Sequence, residues 1–261
     1  MLTLDDIHVR YGKRPVLKGV SASGFEPGTI TGLLGPNAAG KSTLVKTIAG
    51  IQKASQGTCS ITVDGEELTG GARREAIGYV PQDLLSSATL TAFESILVAT
   101  RRSSRAFAHS GAGSSSAARA QELAASVMER LGITHLASRH VHELSGGQRQ
   151  LVAVGQMLVR EPEVLLLDEP TSALDLRHQV ELLKLIRREV SQNDSVALIA
   201  IHDLNLAARY CDRLIVLHQG RLMAQGRPSE VLTPGLLEEV YGLRAKVLDD
   251  DSTPVICPVE E

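Results

Sequence analysis

One short segment, residues 35–42, constrains this chain more than any other. It reads Gly-Pro-Asn-Ala-Ala-Gly-Lys-Ser and lies between an apolar run at residues 30–34 and a helical apolar stripe at Leu44, Val45, Ile48 and Ala49. A strand, a glycine-rich turn and a helix start in this order leave backbone N–H groups available for phosphate at the helix N-terminus. The segment therefore predicts a phosphate-binding loop within an α/β framework.

The same segment matches the Walker A pattern, in which Gly and four variable residues precede Gly, Lys and then Ser or Thr. In such a loop the amine of Lys41 reaches the β- and γ-phosphates of a nucleotide, and the hydroxyl of Ser42 binds Mg²⁺. We therefore predict that the chain binds ATP together with Mg²⁺. The residues expected to contact the nucleotide are Gly35, Pro36, Asn37, Ala38, Ala39, Gly40, Lys41, Ser42 and Thr43.

Two further apolar runs, residues 164–167 and 196–201, are typical of strands buried on both faces of a parallel sheet. Asp168 and Glu169 follow the first of these runs. A carboxylate at the carboxyl end of a central strand lies where open α/β sheets bind their ligands. We expect Asp168 to bind Mg²⁺ directly or to lie in the second coordination shell of the ion. We expect Glu169 to polarise the water that attacks ATP.

A second glycine-containing motif, Leu144-Ser145-Gly146-Gly147-Gln148, precedes a helical stretch. Bare backbone N–H groups at a helix start form another phosphate-binding geometry. One ATP held by its own loop has little need of a second clamp of this kind in the same chain. We therefore expect the motif to close on the ATP of a second copy, in a two-fold dimer with two shared sites.

Taken in order, these motifs resemble the nucleotide-binding subunit of an ABC transporter, and the resemblance covers nearly the whole chain. It implies adenine stacking by Tyr11, a Q-loop glutamine at Gln82 that also approaches Mg²⁺, a D-loop that ends at Asp175, and a switch histidine at His202. Gln82, Glu169 and His202 are then the expected catalytic residues.

The chain departs from the family at one position of the phosphate loop. Ala38 occupies a place where the family usually has Gly. If this residue requires a positive φ, its Cβ costs about 1 kcal/mol. Because both framework glycines and the lysine are present, we expect the loop to accept Ala38 and still bind ATP.

The resemblance implies an α/β fold, namely a P-loop NTPase (RecA-like) core with an antiparallel β subdomain and an inserted helical subdomain. The nucleotide-binding domain is expected to span residues 1–242, with the helical subdomain at about 86–149. Residues 243–261 are expected to form a short C-terminal extension. Residues 101–118 contain a basic start and then many Ser, Gly and Ala, so we predict a mobile loop there.

Composition limits the partners. The net charge is −3, from 27 basic and 30 acidic residues, and only 3% of residues are aromatic, so no basic face or stacking surface indicates nucleic acid. We recognise neither a bilayer-spanning apolar run of about 18 residues nor a signal peptide. Three distant cysteines also argue against disulfides. We expect a peripheral subunit on the cytoplasmic face of the cell membrane.

The resemblance further implies an ATPase that works on two separate permease subunits. Residues 202–212, 226–233 and 240–242 strongly resemble importers of ferric siderophores, haem and cobalamin. We predict import of a ferric siderophore, with haem or cobalamin as the alternative cargo and a periplasmic or surface binding protein as an indirect partner. There are two other interpretations, namely a soluble ABC ATPase that acts on DNA or the ribosome, and an isolated nucleotide switch. The single cassette disfavours the soluble ATPase.

Overall fold

The structure is a computed structural model and describes residues 1–84, 89–101 and 116–259. Its strands are β1 (Leu2–Tyr11), β2 (Arg14–Phe25), β3 (Ile30–Leu34), β4 (Gln56–Val63), β5 (Glu66–Glu67), β6 (Ile77–Val80), β7 (Val164–Asp168), β8 (Val196–Ala200), β9 (Arg213–His218), β10 (Arg221–Gly226), β11 (Ala245–Asp250) and β12 (Thr253–Pro258). Its α-helices are α1 (Lys41–Ile48), α2 (Gly70–Ala76), α3 (Ala92–Thr100), α4 (Ser116–Arg130), α5 (Gly146–Leu158), α6 (Leu176–Gln192), α7 (Leu204–Tyr210), α8 (Pro228–Val231) and α9 (Pro234–Tyr241).

A largely parallel sheet organises the fold, with the strand order β10-β9-β3-β8-β7-β6. Strands β3, β7 and β8 are buried along their whole length, which explains their uninterrupted apolar sequences. The register pairs Ala200 of β8 with Leu33 of β3 on one side and with Asp168 of β7 on the other. The segments that follow these three strands therefore meet at one edge of the sheet.

A second, antiparallel sheet has the order β2-β1-β4-β5 and lies against the same core. Helix α1 packs between the two sheets, because its apolar residues share one buried cluster with Phe25 of β2 and with Leu166 and Leu198 of the central sheet. The predicted α/β core with an antiparallel β portion is confirmed. Because α1 lies between the two sheets, the helix that follows the phosphate loop is held from both sides.

The other face of the central sheet is covered by helices. Helices α3, α4 and α5 pack together, and a Cβ at Gly155 of α5 would lie 2.8 Å from Ile96 of α3. Arg130 at the end of α4 donates to both carboxylate oxygens of the buried Glu189 in α6, at 2.5 and 2.7 Å. This ion pair ties the helical region to the core.

Helices α3 and α4 lie in the region, about 86–149, where the sequence predicts a helical subdomain. The predicted subdomain start at residue 86 lies outside the described residues. So does most of the loop predicted at 101–118, of which residues 102–115 are not described. The division into domains therefore stays a prediction.

The C-terminal extension forms an antiparallel hairpin of β11 and β12, in which Asp250 pairs with Thr253. Asp251 and Ser252 make its turn, and both have positive φ angles, 50° and 66°. The hairpin packs mainly on α7. Across the described ranges no helix has the length and apolarity needed to traverse a bilayer.

Candidate active site

The phosphate loop after β3 is shaped by contacts that only glycine permits. Gly35 has φ 144°, and a Cβ there would lie 2.2 Å from the carbonyl oxygen of Leu217. Gly40 has φ 108°, and a Cβ there would lie 2.7 Å from the side chain of Leu17. The two framework glycines are therefore required by close packing against β9 and β2, independently of any ligand.

Lys41 is buried at the start of α1. Its Nζ donates to the carbonyl oxygens of Gly35 at 2.8 Å and Pro36 at 3.3 Å. Burial lowers the pKa of this ammonium, and the nearby carboxylates of Glu169 and Asp168 oppose that shift. The loop thus holds a partly desolvated positive charge against its own backbone, where phosphate oxygens can replace the carbonyl partners.

Ser42 and Asp168 form the predicted metal-binding pair. The Ser42 hydroxyl donates to Asp168 Oδ1 at 3.0 Å, while Asp168 Oδ2 is buried and has no hydrogen-bond partner among the described residues. Burial raises the pKa of Asp168, and the bond from Ser42 opposes this shift. A hydroxyl oxygen beside an unsatisfied carboxylate oxygen is the hard oxygen set that Mg²⁺ prefers, so these residues fit the predicted ion.

Glu169 connects the three residues predicted to act in catalysis. Gln82 Nε2 donates to its Oε2 at 2.7 Å, and His202 Nε2 lies 2.5 Å from its Oε1. Its backbone has φ 54°, a left-handed conformation that is rare for a residue with a side chain, and its N–H donates to the Ala200 carbonyl at 3.2 Å. The sheet register therefore brings together the ends of β6, β7 and β8 around one carboxylate. The structure places Gln82 on Glu169 rather than on Ser42 and Asp168, and its contact with Mg²⁺ stays a prediction.

The second glycine motif begins α5. Ser145 and Gln148 form a capping box, in which the Ser145 hydroxyl accepts from the Gln148 backbone at 3.3 Å and the Gln148 side chain accepts from the Ser145 backbone at 3.1 Å. Leu144 is buried. In the described parts of the chain no hydrogen bond joins this motif to the phosphate loop.

The predicted D-loop packs against this motif. A Cβ at Gly147 would lie 2.9 Å from the carbonyl oxygen of Ala173 and 2.8 Å from the side chain of Leu174, whereas one at Gly146 would meet only the Ala173 methyl at 3.6 Å. Asp175 then caps α6, because its Oδ1 accepts from the His178 backbone N–H at 2.9 Å. The two predicted dimer motifs are thus one packed unit within the chain.

Tyr11 lies at the end of β1, and its ring is available for stacking because the residue is 49% exposed. The β1–β2 hairpin is fastened to the phosphate loop through Gly220, whose carbonyl accepts from Lys18 at 2.8 Å and whose N–H donates to Ala39 at 3.0 Å. This arrangement is compatible with the predicted contact between Tyr11 and an adenine base.

The sequence did not identify two residues that shape the site. Gly220 has φ 80°, and a Cβ there would lie 2.0 Å from the carbonyl oxygen of Val16. The hydroxyl of Tyr241 lies against the backbone N–H of Gly35, and burial raises the pKa of this phenol to about 12. A Gln-Gly pair between two strands marks a turn, but nothing in the sequence indicates that the turn touches the phosphate loop.

Comparison with known proteins agrees with the motifs. The profile of the ABC transporter family matches residues 17–172. The chain is 36% identical over 261 residues to the ferric enterobactin transport ATP-binding protein FepC of Escherichia coli (strain K12), covering 98% of this chain and 93% of the relative. It is 38% identical over 265 residues to the hemin import ATP-binding protein HmuV of Photobacterium damsela subsp. piscicida, covering 98% and 95%. It also matches the dimeric structure of a bacterial ABC transporter cassette, with a TM-score of 0.73 and 26% identity, covering 87% of this chain and 99% of that one.

Ala38 provides a first test of the site. It has φ 63°, the left-handed conformation in which a Cβ costs about 1 kcal/mol. Because protein contacts at Gly35 and Gly40 fix the loop, folding rather than ATP binding carries this cost. We expect Ala38→Gly to change the ATP dissociation constant by less than about threefold, which is about 0.65 kcal/mol, in isothermal calorimetry. A wild-type protein that binds no ATP while Ala38→Gly binds it would contradict the expectation.

The two glycines of the second motif allow a matched comparison. Gly147→Ala should lower the thermal unfolding midpoint, because the new methyl meets the Ala173 carbonyl and the partly buried side chain of Leu174. Gly146→Ala should leave the midpoint unchanged or raise it, since Ala stabilises a helix by about 0.5–1 kcal/mol over Gly. Both variants are measured by circular dichroism at the same concentration. Equal midpoints for the two variants would show that the contact with Ala173 does not constrain position 147.

Proposed function

The chain belongs to the ABC transporter family as an ATP-binding and ATP-hydrolysing subunit, and we propose that it powers an importer that takes up a ferric siderophore through separate permease subunits. The observation that carries the ATPase part is the carboxylate of Glu169, held between Gln82 and His202 beside the phosphate loop. The importer part rests on similarity along nearly the full length to FepC and HmuV.

In this proposal the triphosphate lies in the loop of residues 35–43, where Lys41 exchanges its carbonyl partners for β- and γ-phosphate oxygens. Mg²⁺ bound with ATP supplies positive charge next to these phosphates. Ser42, Asp168 and Gln82 would hold it. Tyr11 stacks on the adenine ring.

Glu169 is proposed to orient and deprotonate the attacking water. Gln82 donates to one of its carboxylate oxygens and His202 Nε2 lies 2.5 Å from the other, so a water can replace one of these partners without a change in backbone position. His202 is half exposed and would then donate to the γ-phosphate. Removal of one proton by a positioned carboxylate contributes about 10²- to 10⁴-fold to a rate.

The second phosphate clamp is proposed to act on a partner copy. Ser145, Gly146 and Gly147 present a capped helix start at an exposed surface, and the similar cassette of known structure is described as a dimer. A two-fold pair would place this motif on the ATP of the partner and Asp175 at the contact between copies. ATP then completes each site and holds the dimer together.

A groove between the core and the helical region is the proposed docking place for a permease helix. It has a volume of about 770 Å³, and its lining includes Tyr79, Pro81, Val98, Ala153 and Met157. Val98 is 47% exposed, which leaves an apolar side chain uncovered at the rim. Pro81 lines the groove and directly precedes Gln82, whose side chain donates to Glu169. A permease helix bound in the groove would therefore be connected to the hydrolytic site through Gln82.

Ferric siderophore is the proposed cargo, by analogy with FepC and with the importer-like sequence segments. Haem is the second candidate because HmuV is 38% identical over 98% of this chain. Cobalamin is the third. The cassette would act at the cytoplasmic face of the membrane, and a periplasmic or surface binding protein would deliver the cargo to the permease.

Glu169→Gln tests the hydrolytic role. The amide keeps the size of the side chain but cannot accept a proton, so we expect ATP binding to persist while turnover falls by about 10²- to 10⁴-fold. The trapped ATP should also shift the protein to a dimer in size-exclusion chromatography. Glu239→Gln, on the exposed side of α9, is the control. Turnover that stays within about twofold of wild type in Glu169→Gln would reject this residue as the base.

A deletion strain of the source organism tests the cargo. We expect it to lose growth on a ferric siderophore as the iron source and to regain it with the wild-type gene but not with Glu169→Gln. Growth on haem and on cobalamin-dependent medium should be unaffected. A defect confined to haem or to cobalamin would transfer the assignment to that cargo, and normal growth in all three media would argue against this importer class.

A further inference from the structure

Asn205 joins the helix after the switch histidine to the C-terminal hairpin. Its Nδ2 donates to the Ile256 carbonyl at 3.3 Å, and the Ile256 N–H donates to its Oδ1 at 2.8 Å. One side-chain amide therefore satisfies both backbone polar groups of a residue in β12, as a neighbouring strand would do. This pair of bonds connects positions 51 residues apart in the sequence.

The contact has a defined place on α7. Asn205 lies in the first turn of this helix, and Asp203 caps it by accepting from the backbone N–H groups of Asn205 at 2.8 Å and Leu206 at 2.9 Å. One turn later Arg209 forms an exposed ion pair with Asp250 of β11 at 2.5 Å. The hairpin thus lies along one face of α7.

Helix α7 needs such support because it has only seven residues. A helix of this length is not stable alone, so its direction is set by the surfaces that it contacts. Leu206, Ala207 and Ala208 are buried against the core. Asn205 supplies the attachment on the side of the hairpin.

The start of α7 determines where His202 lies. This residue directly precedes the capping residue Asp203, and its Nε2 is 2.5 Å from Glu169 Oε1. A small rotation or shift of the first helical turn would move the imidazole away from that carboxylate. In a site whose groups must meet within hydrogen-bond distance, a displacement of about 1 Å can cost about 10²-fold in rate.

We propose that Asn205 is a positioning residue for ATP hydrolysis, which fixes the first turn of α7 to the hairpin and so holds His202 against Glu169. Asn205 touches neither the nucleotide nor the reacting water in this arrangement. The inference rests on the roles proposed above for Glu169 and His202. It assigns the C-terminal hairpin a part in turnover in addition to its packing.

The test compares Asn205→Ala with Arg209→Ala in the full chain. Asn205→Ala should lower kcat for ATP by about tenfold while KM and the ATP dissociation constant change by less than about twofold, because the phosphate loop is untouched. Arg209→Ala removes the neighbouring exposed ion pair, which contributes little, and should leave kcat within about twofold of wild type. Asn205→Asp keeps the acceptor for the Ile256 N–H but sets a carboxylate against the Ile256 carbonyl, so its kcat should lie between the other two.

A second measurement separates positioning from general stability. In ¹⁵N-labelled protein the imidazole signals of His202, identified by their loss in His202→Ala, should shift in Asn205→Ala and stay in place in Arg209→Ala. Wild-type kcat or unshifted His202 signals in Asn205→Ala would overturn the inference. So would a loss of kcat that follows the unfolding midpoint equally in both variants.

The control His202→Ala identifies which proposal fails. If His202→Ala loses turnover while Asn205→Ala does not, the role of the histidine stands and the role of Asn205 is wrong. If His202→Ala hydrolyses ATP at the wild-type rate, the proposed catalytic role of His202 fails, and the inference about Asn205 fails with it.

Discussion

The parallel pairing of β3, β8 and β7 is the constraint on which the site depends. Ala200 is the common reference, because it faces Leu33 on one side and Asp168 on the other. A shift of one residue in either pairing would move a neighbouring segment by about 3.3 Å and turn its side chains to the opposite face. The phosphate loop, the acidic pair and the switch histidine would then no longer meet. The long apolar runs of these strands thus determine the geometry of the site as well as the stability of the core.

The site contains backbone conformations and buried charges that each lower the stability of the fold. Ala38 and Glu169 have left-handed backbones, which cost of order 1 kcal/mol each for residues with a Cβ. Burial also works against charge here, since it lowers the pKa of Lys41 and raises that of Asp168. Each of these two groups opposes the shift of the other. The surrounding sheets and the buried helix α1 offset these costs and keep the charged groups close to where phosphate and a cation are proposed to bind.

The sequence predicted the parts of this structure that follow from local patterns. Buried strands have continuous apolar sequences, and the phosphate loop has a spacing that few other structures require, so the α/β fold and the place of Glu169 near this loop could be anticipated. The roles of Gln82 and His202, which meet at Glu169, were implied only by the resemblance to ABC transporter subunits. Contacts between distant turns could not. The bond from Gly220 to Ala39 and the pairing of Asn205 with Ile256 depend on how two hairpins dock. The first joins two backbone groups, and in the second a side-chain amide meets the backbone of a distant strand. No periodicity or composition marks such contacts.

The packing of Gly147 against Ala173 links the two sites of the proposed dimer. Ser172, next to Ala173, donates from its backbone N–H to the Glu169 carbonyl at 3.2 Å. A short path of protein contacts therefore runs from the motif that would hold the ATP of a partner to the residue that would activate water in the same chain. Gly147 leaves no space between its helix and the D-loop. A displacement of the motif would therefore either move the D-loop with it or break the contact between them. In the proposed dimer, nucleotide bound in one shared site would thus be connected through packed protein to the carboxylate of the other.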